Sequence, residues 1–165
     1  MRLHLTAACI AIPACTLAGD VTTFQGRCHM DGCWWVEQSS PTELRNVTDG
    51  IAGRLVEVTQ RVAESQHPGA DYPDQPPADV VWSDPAQTQF FCSTARPALD
   101  NGDGSWTTLP LPGTFGATEG ATRMYLHACH PGVTDPYAIP PELGYQPHNP
   151  DEQTDYTSFD RLITP

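Results

Sequence analysis

Four cysteines, Cys28, Cys33, Cys92 and Cys129, constrain this chain more than any other feature, because of what stands in front of them. The chain opens on Arg2 and then runs from Leu3 to Leu17 without an Asp, Glu, Lys or Arg. Thr16-Leu17-Ala18 follows with small residues at the two positions a signal peptidase reads, which predicts a secretion signal over residues 1–18, cleaved after Ala18. Cys9 and Cys15 leave with it, and four cysteines remain. An even set in an exported chain reads as two disulfides. Three pairings are open to four cysteines. The one favoured joins Cys28 to Cys33 across a tight His29-Met30-Asp31-Gly32 turn, and Cys92 to Cys129 between two apolar segments expected to be buried together.

Charge narrows the partners. The chain of 165 residues has eight Lys plus Arg, all of them arginine, against twenty carboxylates, for a formal charge of -12. Phosphate backbones need clusters of Lys and Arg, so nucleic acid is excluded as a partner. No segment after the opening approaches the roughly 18 apolar residues of a transmembrane helix, so no membrane span is expected. The expected location is periplasmic or secreted. A second processing route is open, because Ile12-Pro13-Ala14-Cys15 is similar to a bacterial lipobox, in which Cys15 would carry a lipid anchor.

Periodicity gives the outline of a fold. Trp34 to Gln38 is rich in strand formers, and residues 54–63 alternate through Val56, Val58 and Val62. Val80-Val81-Trp82 and Gln89 to Cys92 are further strand-like runs. Asp100-Asn101-Gly102-Asp103-Gly104 reads as the turn of a hairpin entering Ser105 to Leu109. Ser40-Pro41-Thr42-Glu43 has the form of a capping box and predicts a short helix near 41–49. Ala121, Met124, Tyr125 and Ala128 share a helical face, so 118–129 is read as helix. The Pro-rich residues 67–79 form a loop. The resulting class is α+β: a small antiparallel sheet of four to six strands with one or two short helices, stapled by disulfides. Residues 19–130 form one globular domain, and the proline-rich, acidic stretch 131–165 is an extended or disordered tail.

Gly26-x-Cys28-x4-Cys33-Trp34, Phe91-Cys92-Ser93 and Tyr125-x3-Cys129-His130 together resemble an uncharacterised family of exported proteobacterial proteins over about residues 24–130. The resemblance implies export and disulfides, and it implies no activity.

Residue chemistry offers several sites, each with a plainer alternative. Trp34, Trp35, Trp82 and Trp106 can line a sugar or peptide groove, or pack against core and disulfides. Cys28, His29, Cys33, His127, Cys129 and His130 are ligand types that zinc accepts, but paired CxxC spacing is missing and oxidation competes for the thiols. The 100–104 turn has oxygen ligands without the spacing or distal Glu of a calcium loop. Asn46-Val47-Thr48 is a glycosylation sequon. G-x-S-x-G, H-E-x-x-H and Gly-rich phosphate loops are absent from the sequence. Expected, then, is an exported envelope protein acting as a non-enzymatic binding or accessory module, with an envelope protein or glycan as partner and no cofactor. The alternatives are a small hydrolase using His127 or His130 near Ser93, or a metal-binding envelope protein.

Overall fold

The computed structural model describes residues 20–114, 116–146 and 154–165. The secretion signal, its cleavage point and the lipobox at Cys15 lie outside the described residues.

The strands are β1 (Val21–His29), β2 (Gly32–Ser39), β3 (Thr42–Val47), β4 (Gly53–Gln66), β5 (Ala86–Cys92), β6 (Ala98–Asp100), β7 (Trp106–Thr108) and β8 (Asp155–Tyr156). Among the described residues there are also two α-helices, α1 (Glu119–Cys129) and α2 (Phe159–Ile163), and a 3-10 turn at Pro141–Leu143. All pairings are antiparallel, in the order β1-β2-β4-β5-β6-β7-β8, with β3 also on β4. This is the small α+β fold expected from the sequence. Among the described residues it has eight strands rather than four to six, because β4 is long enough to serve two partners along one edge. Its C-terminal half pairs with β2 and its N-terminal half with β3, while β5 takes the opposite edge. At the joint between β2 and β3, the Ser39 hydroxyl accepts the Thr59 N–H at 3.0 Å.

The helix expected near 41–49 is instead strand β3. Thr42 to Val47 finds a ladder partner in Gly53 to Glu57, with Leu44 left out between Glu43 and Arg45 at a bulge. The pattern Leu44, Val47, Ile51 that suggested a helical face does not share one, since Leu44 is 46% exposed and Val47 is buried. Capping chemistry is a local preference of about 1 kcal/mol and loses to strand pairing across the whole segment. The run Val80 to Trp82 also forms no strand. It lies alongside β4, with Ser83 N–H donating to Val62 C=O at 2.8 Å.

Both faces of the sheet are covered. On one, α1 lays Met124, Tyr125, Leu126, Ala128 and Cys129 over Val36, Val56, Val58 and Phe90. The opposite face holds two smaller clusters. In one, Leu162 and Ile163 of α2 pack with Val47, Phe91, Ala98 and Trp106. In the other, Tyr72 of the Pro-rich loop and Val80 and Trp82 just after it cover Trp35 and Ala63. Cys28 is joined to Cys33 and Cys92 to Cys129; the second bridge ties β5 to the end of α1.

The expected tail from 131 onward is therefore structured where it is described. Tyr145 and Leu162 are buried, β8 extends the sheet, and Ile51 N–H donates to Ile163 C=O at 2.8 Å. The apolar residues there are too sparse to show a period, yet Tyr145, Leu162 and Ile163 are buried in the clusters the sheet supports, while Tyr137 stays exposed.

Candidate functional site

The site follows from register. Residues directly opposite one another in paired strands point to the same face of a sheet. Arg27 opposes Trp34, and Trp34 opposes Glu64, which sets cation, indole and carboxylate in one row across β1, β2 and β4. The next row is His29, Gly32 and Gln66. An irregularity between Gln25 and Arg27 makes the first row possible. Gly26 is the extra, unpaired residue; were it paired in regular alternation, it would oppose Trp34 and Arg27 would face the other side of the sheet.

The turn joining β1 to β2 is tight. Met30 and Asp31 have φ of 49° and 63°, values uncommon for residues with a Cβ. Asp31 is fixed from behind: its C=O accepts His67 N–H at 2.5 Å and its carboxylate accepts Gly69 N–H at 3.2 Å. Met30 is left 80% exposed at the tip.

Above the two rows stands the start of α1. Ala117, Gly120, Ala121 and Met124 face Arg27, His29, Met30, Trp34, Glu64 and Gln66 across a cleft of about 600 Å³. Trp34 is gripped at its six-membered ring. A methyl on Gly26 would lie 2.5 Å from its Cε3, and one on Gly120 would meet the same edge from the helix. Small residues at both positions leave a slot that fits the ring and fixes its orientation. Three other arginines are ion-paired, Arg54 to Glu43, Arg61 to Glu37 and Arg123 to Glu119. Among the described residues Arg27 has no ion pair or hydrogen bond, and Trp34 Nε1 has no acceptor. Polar groups without protein partners at the edge of a cleft are available to a ligand.

The four tryptophans do not form one surface. Trp35 is fully buried, and its Nε1 donates to the Ser65 hydroxyl at 2.7 Å. Trp106 is core, with the Phe159 ring centroid 5.1 Å away. Trp82 lies under the Arg61 guanidinium at 5.1 Å and lines a second groove of about 610 Å³ with Val80 and Val81. That groove has β4 on one side and loop on the other, whereas the Trp34 cleft lies between paired strands and a helix, which hold side chains more precisely.

The histidines proposed for hydrolysis have other neighbours. His127 stacks on Phe24 with ring centroids 3.8 Å apart. Burial, helped by the nearby Arg123 charge, holds its pKa below the ordinary 6.5. His130 Nε2 meets the Tyr145 hydroxyl at 2.6 Å, Tyr145 donates to the Tyr125 hydroxyl at 3.0 Å, and Tyr125 donates to Ser93 C=O at 3.3 Å. Burial, then Arg54, lowers the pKa of His130 as well. The Ser93 hydroxyl itself donates to Ala52 C=O at 2.7 Å. Neither histidine meets that hydroxyl; the chain reaches only Ser93's backbone.

Of the zinc ligand types, all four cysteines are spent in disulfides. Among the described residues no three of His, Cys, Asp or Glu gather at one point. In the 100–104 turn, Asp100 accepts Gly102 N–H and Asp103 accepts both Ser105 N–H and its hydroxyl, so the carboxylates serve the hairpin. Those bonds from Ser105, the hydroxyl first, hold the Asp103 carboxyl below its ordinary range. Asn46 of the sequon lies exposed on β3.

Arg27, Gly32, Glu64, Gln66 and the small-residue face of α1 were not singled out from the sequence. One signal could have found the first of them. A disulfide bridging Cys28 and Cys33 around a two-residue turn fixes the hairpin register, and that register puts Arg27 opposite Trp34.

Fold and cleft together define a disulfide-stapled α+β domain with a walled aromatic cleft on one sheet face. Comparison with protein families, with curated proteins and with solved structures found no match to this chain. Two disulfides are compatible with an extracytoplasmic location, and no helix among the described residues is long and apolar enough to cross a membrane.

Proposed function

We propose that this protein is an exported, non-enzymatic binding module of the cell envelope, periplasmic or secreted, and that the Trp34 cleft is its binding site. The observation that carries the reading is the grip of Gly26 and Gly120 on Trp34 at the floor of a cleft of about 600 Å³. An aromatic ring held rigid while it faces a cleft loses little entropy on binding, which is what preorganisation means. The volume falls within the roughly 300–1,000 Å³ of small-ligand sites. Export is supported by the apolar opening and by the two disulfides.

The test is a ¹H–¹⁵N titration with soluble fragments of envelope glycans and peptides. Binding in the cleft should move the Trp34 indole N–H resonance while those of Trp35 and Trp106 stay in place. If no fragment moves Trp34, the cleft is not a binding site. Mass spectrometry of the protein made in its own host should find Gly19 first. A lipid on Cys15 would replace the soluble form with an anchored one, and an intact Met1 would remove export altogether.

A further inference from the structure

We propose that the ligand of this cleft is a neutral oligosaccharide, seated with the C–H face of one pyranose ring on Trp34; the inference rests on the cleft being the binding site. A sugar ring has one chemistry on its face and another around its rim. The face is a patch of C–H bonds that packs on the electron-rich face of an aromatic ring. The rim is a ring of hydroxyls, each both donor and acceptor, which needs donors and acceptors side by side. Row one offers this order: Arg27 donates from one side of Trp34 and Glu64 accepts on the other. With strands about 4.8 Å apart, the two flanking residues stand about 10 Å apart at the backbone, so the indole is framed at both edges. Row two repeats the polar flanks with His29 and Gln66, and Gly32 puts no side chain between them. Past Trp34 the floor drops to Gly32, where the Gln66 amide leans in, its Nε2 3.7 Å from where a Gly32 Cβ would stand, and adds a donor and an acceptor beside the indole.

Other ligand classes fit less well. An extended peptide is held chiefly by main-chain bonds to a free sheet edge. Here Trp34 stands on β2, which is paired on both sides, to β1 and β4, and a peptide added to the free outer edge of β1 would lie a strand away from the indole. A nucleotide base could stack on Trp34, but a net charge of -12 opposes its phosphates. A ligand bearing only a carboxylate would satisfy Arg27 and leave Glu64 facing it.

The experiment titrates the intact disulfide-bonded protein with cellotetraose, chitotetraose and tetra-alanine, following the Trp34 indole N–H. One or both sugars should shift it saturably, with little change on adding salt, and tetra-alanine should not. Arg27→Gln and Glu64→Gln, both on the open side of the cleft, should each weaken sugar binding by about tenfold, the loss of one charge-assisted hydrogen bond. Trp34→Ala should abolish it; should that variant fail to fold, the two row variants still decide. A shift with tetra-alanine and none with either sugar overturns the saccharide inference and keeps the cleft as a site. Sugar binding unchanged in both row variants also overturns it. No shift at Trp34 with any of the three overturns the saccharide inference and the proposed site together.

Discussion

At the residue scale, the two glycines against Trp34 make the sharpest test of the site. Gly120→Ala would gain about 1 kcal/mol of helix propensity. The added methyl meets a ring already pinned by Gly26, and overpacking of this kind costs about 1–3 kcal/mol. The net effect should be destabilising, with a changed Trp34 emission spectrum; a more stable protein with unchanged emission would mean the ring is not clamped. The two half-buried histidines give a pH signature. His127 and His130 both have pKa values lowered from 6.5, chiefly by burial. The unfolded chain therefore takes up protons first as pH falls. Their contribution to stability is intact above about pH 6.5, declines as pH falls from there through their folded pKa values, and then levels off. Urea midpoints should drop between about pH 7.5 and 5.5, above the carboxylate range, and the double variant His127→Gln/His130→Gln should flatten that slope. At the alkaline end the sign reverses. Burial raises Tyr145 to about 12 and also raises Tyr125, so stability should fall as pH rises beyond about 10. How much of the site could be read beforehand is visible in these residues. Trp34 was a candidate from its type and its place beside Cys33. Glu64 was not, because one carboxylate among twenty has no mark until β4 is laid beside β2.

Elements divide according to how local their causes are. Helix α1, β5, the 100–104 turn and the span of β4 were legible, since each is set by a pattern within its own residues. Segment 42–47 was misread because its capping signal is local and its strand partner is not, and β8 is two residues long and carries no pattern at all. The bridges differ in the same way. Cys28 and Cys33 are 5 residues apart on strands already paired by a turn, whereas 37 residues separate Cys92 from Cys129. By loop entropy alone the first bridge contributes about 2 kcal/mol and the second about 4. Replacing both Cys92 and Cys129 with Ser should thus lower the thermal midpoint much more than replacing Cys28 and Cys33. Equal losses would mean the short bridge does more than close a loop, as holding the Arg27–Trp34 register would require.

For the whole molecule, the sheet is the shared wall of three separate clusters, and the C-terminal residues close one of them. Leu162 is fully buried, and the Arg96 side chain donates to the carbonyls of Leu162 and Thr164 at 2.8 and 2.5 Å. Leu162→Ala should cost about 2–5 kcal/mol, and deletion of 154–165 more; a truncated protein of unchanged midpoint would show that α2 does not hold the core. The Pro-rich loop after β4 has a different bearing on the architecture. Asp74 and Gln75 are exposed within it, and both disulfides fall clear of it, Cys28–Cys33 before and Cys92–Cys129 after. A cut between those two residues would leave no covalent link between the halves, yet Val56 and Val58 of the first would still sit beneath Phe90 and Tyr125 of the second. Cleaved at an engineered site there, the protein should elute as one species in native gel filtration and separate into two bands in denaturing, non-reducing electrophoresis. The chain is in this sense two interlocking half-molecules, each crosslinked within itself, and separately made halves should reassemble by fragment complementation.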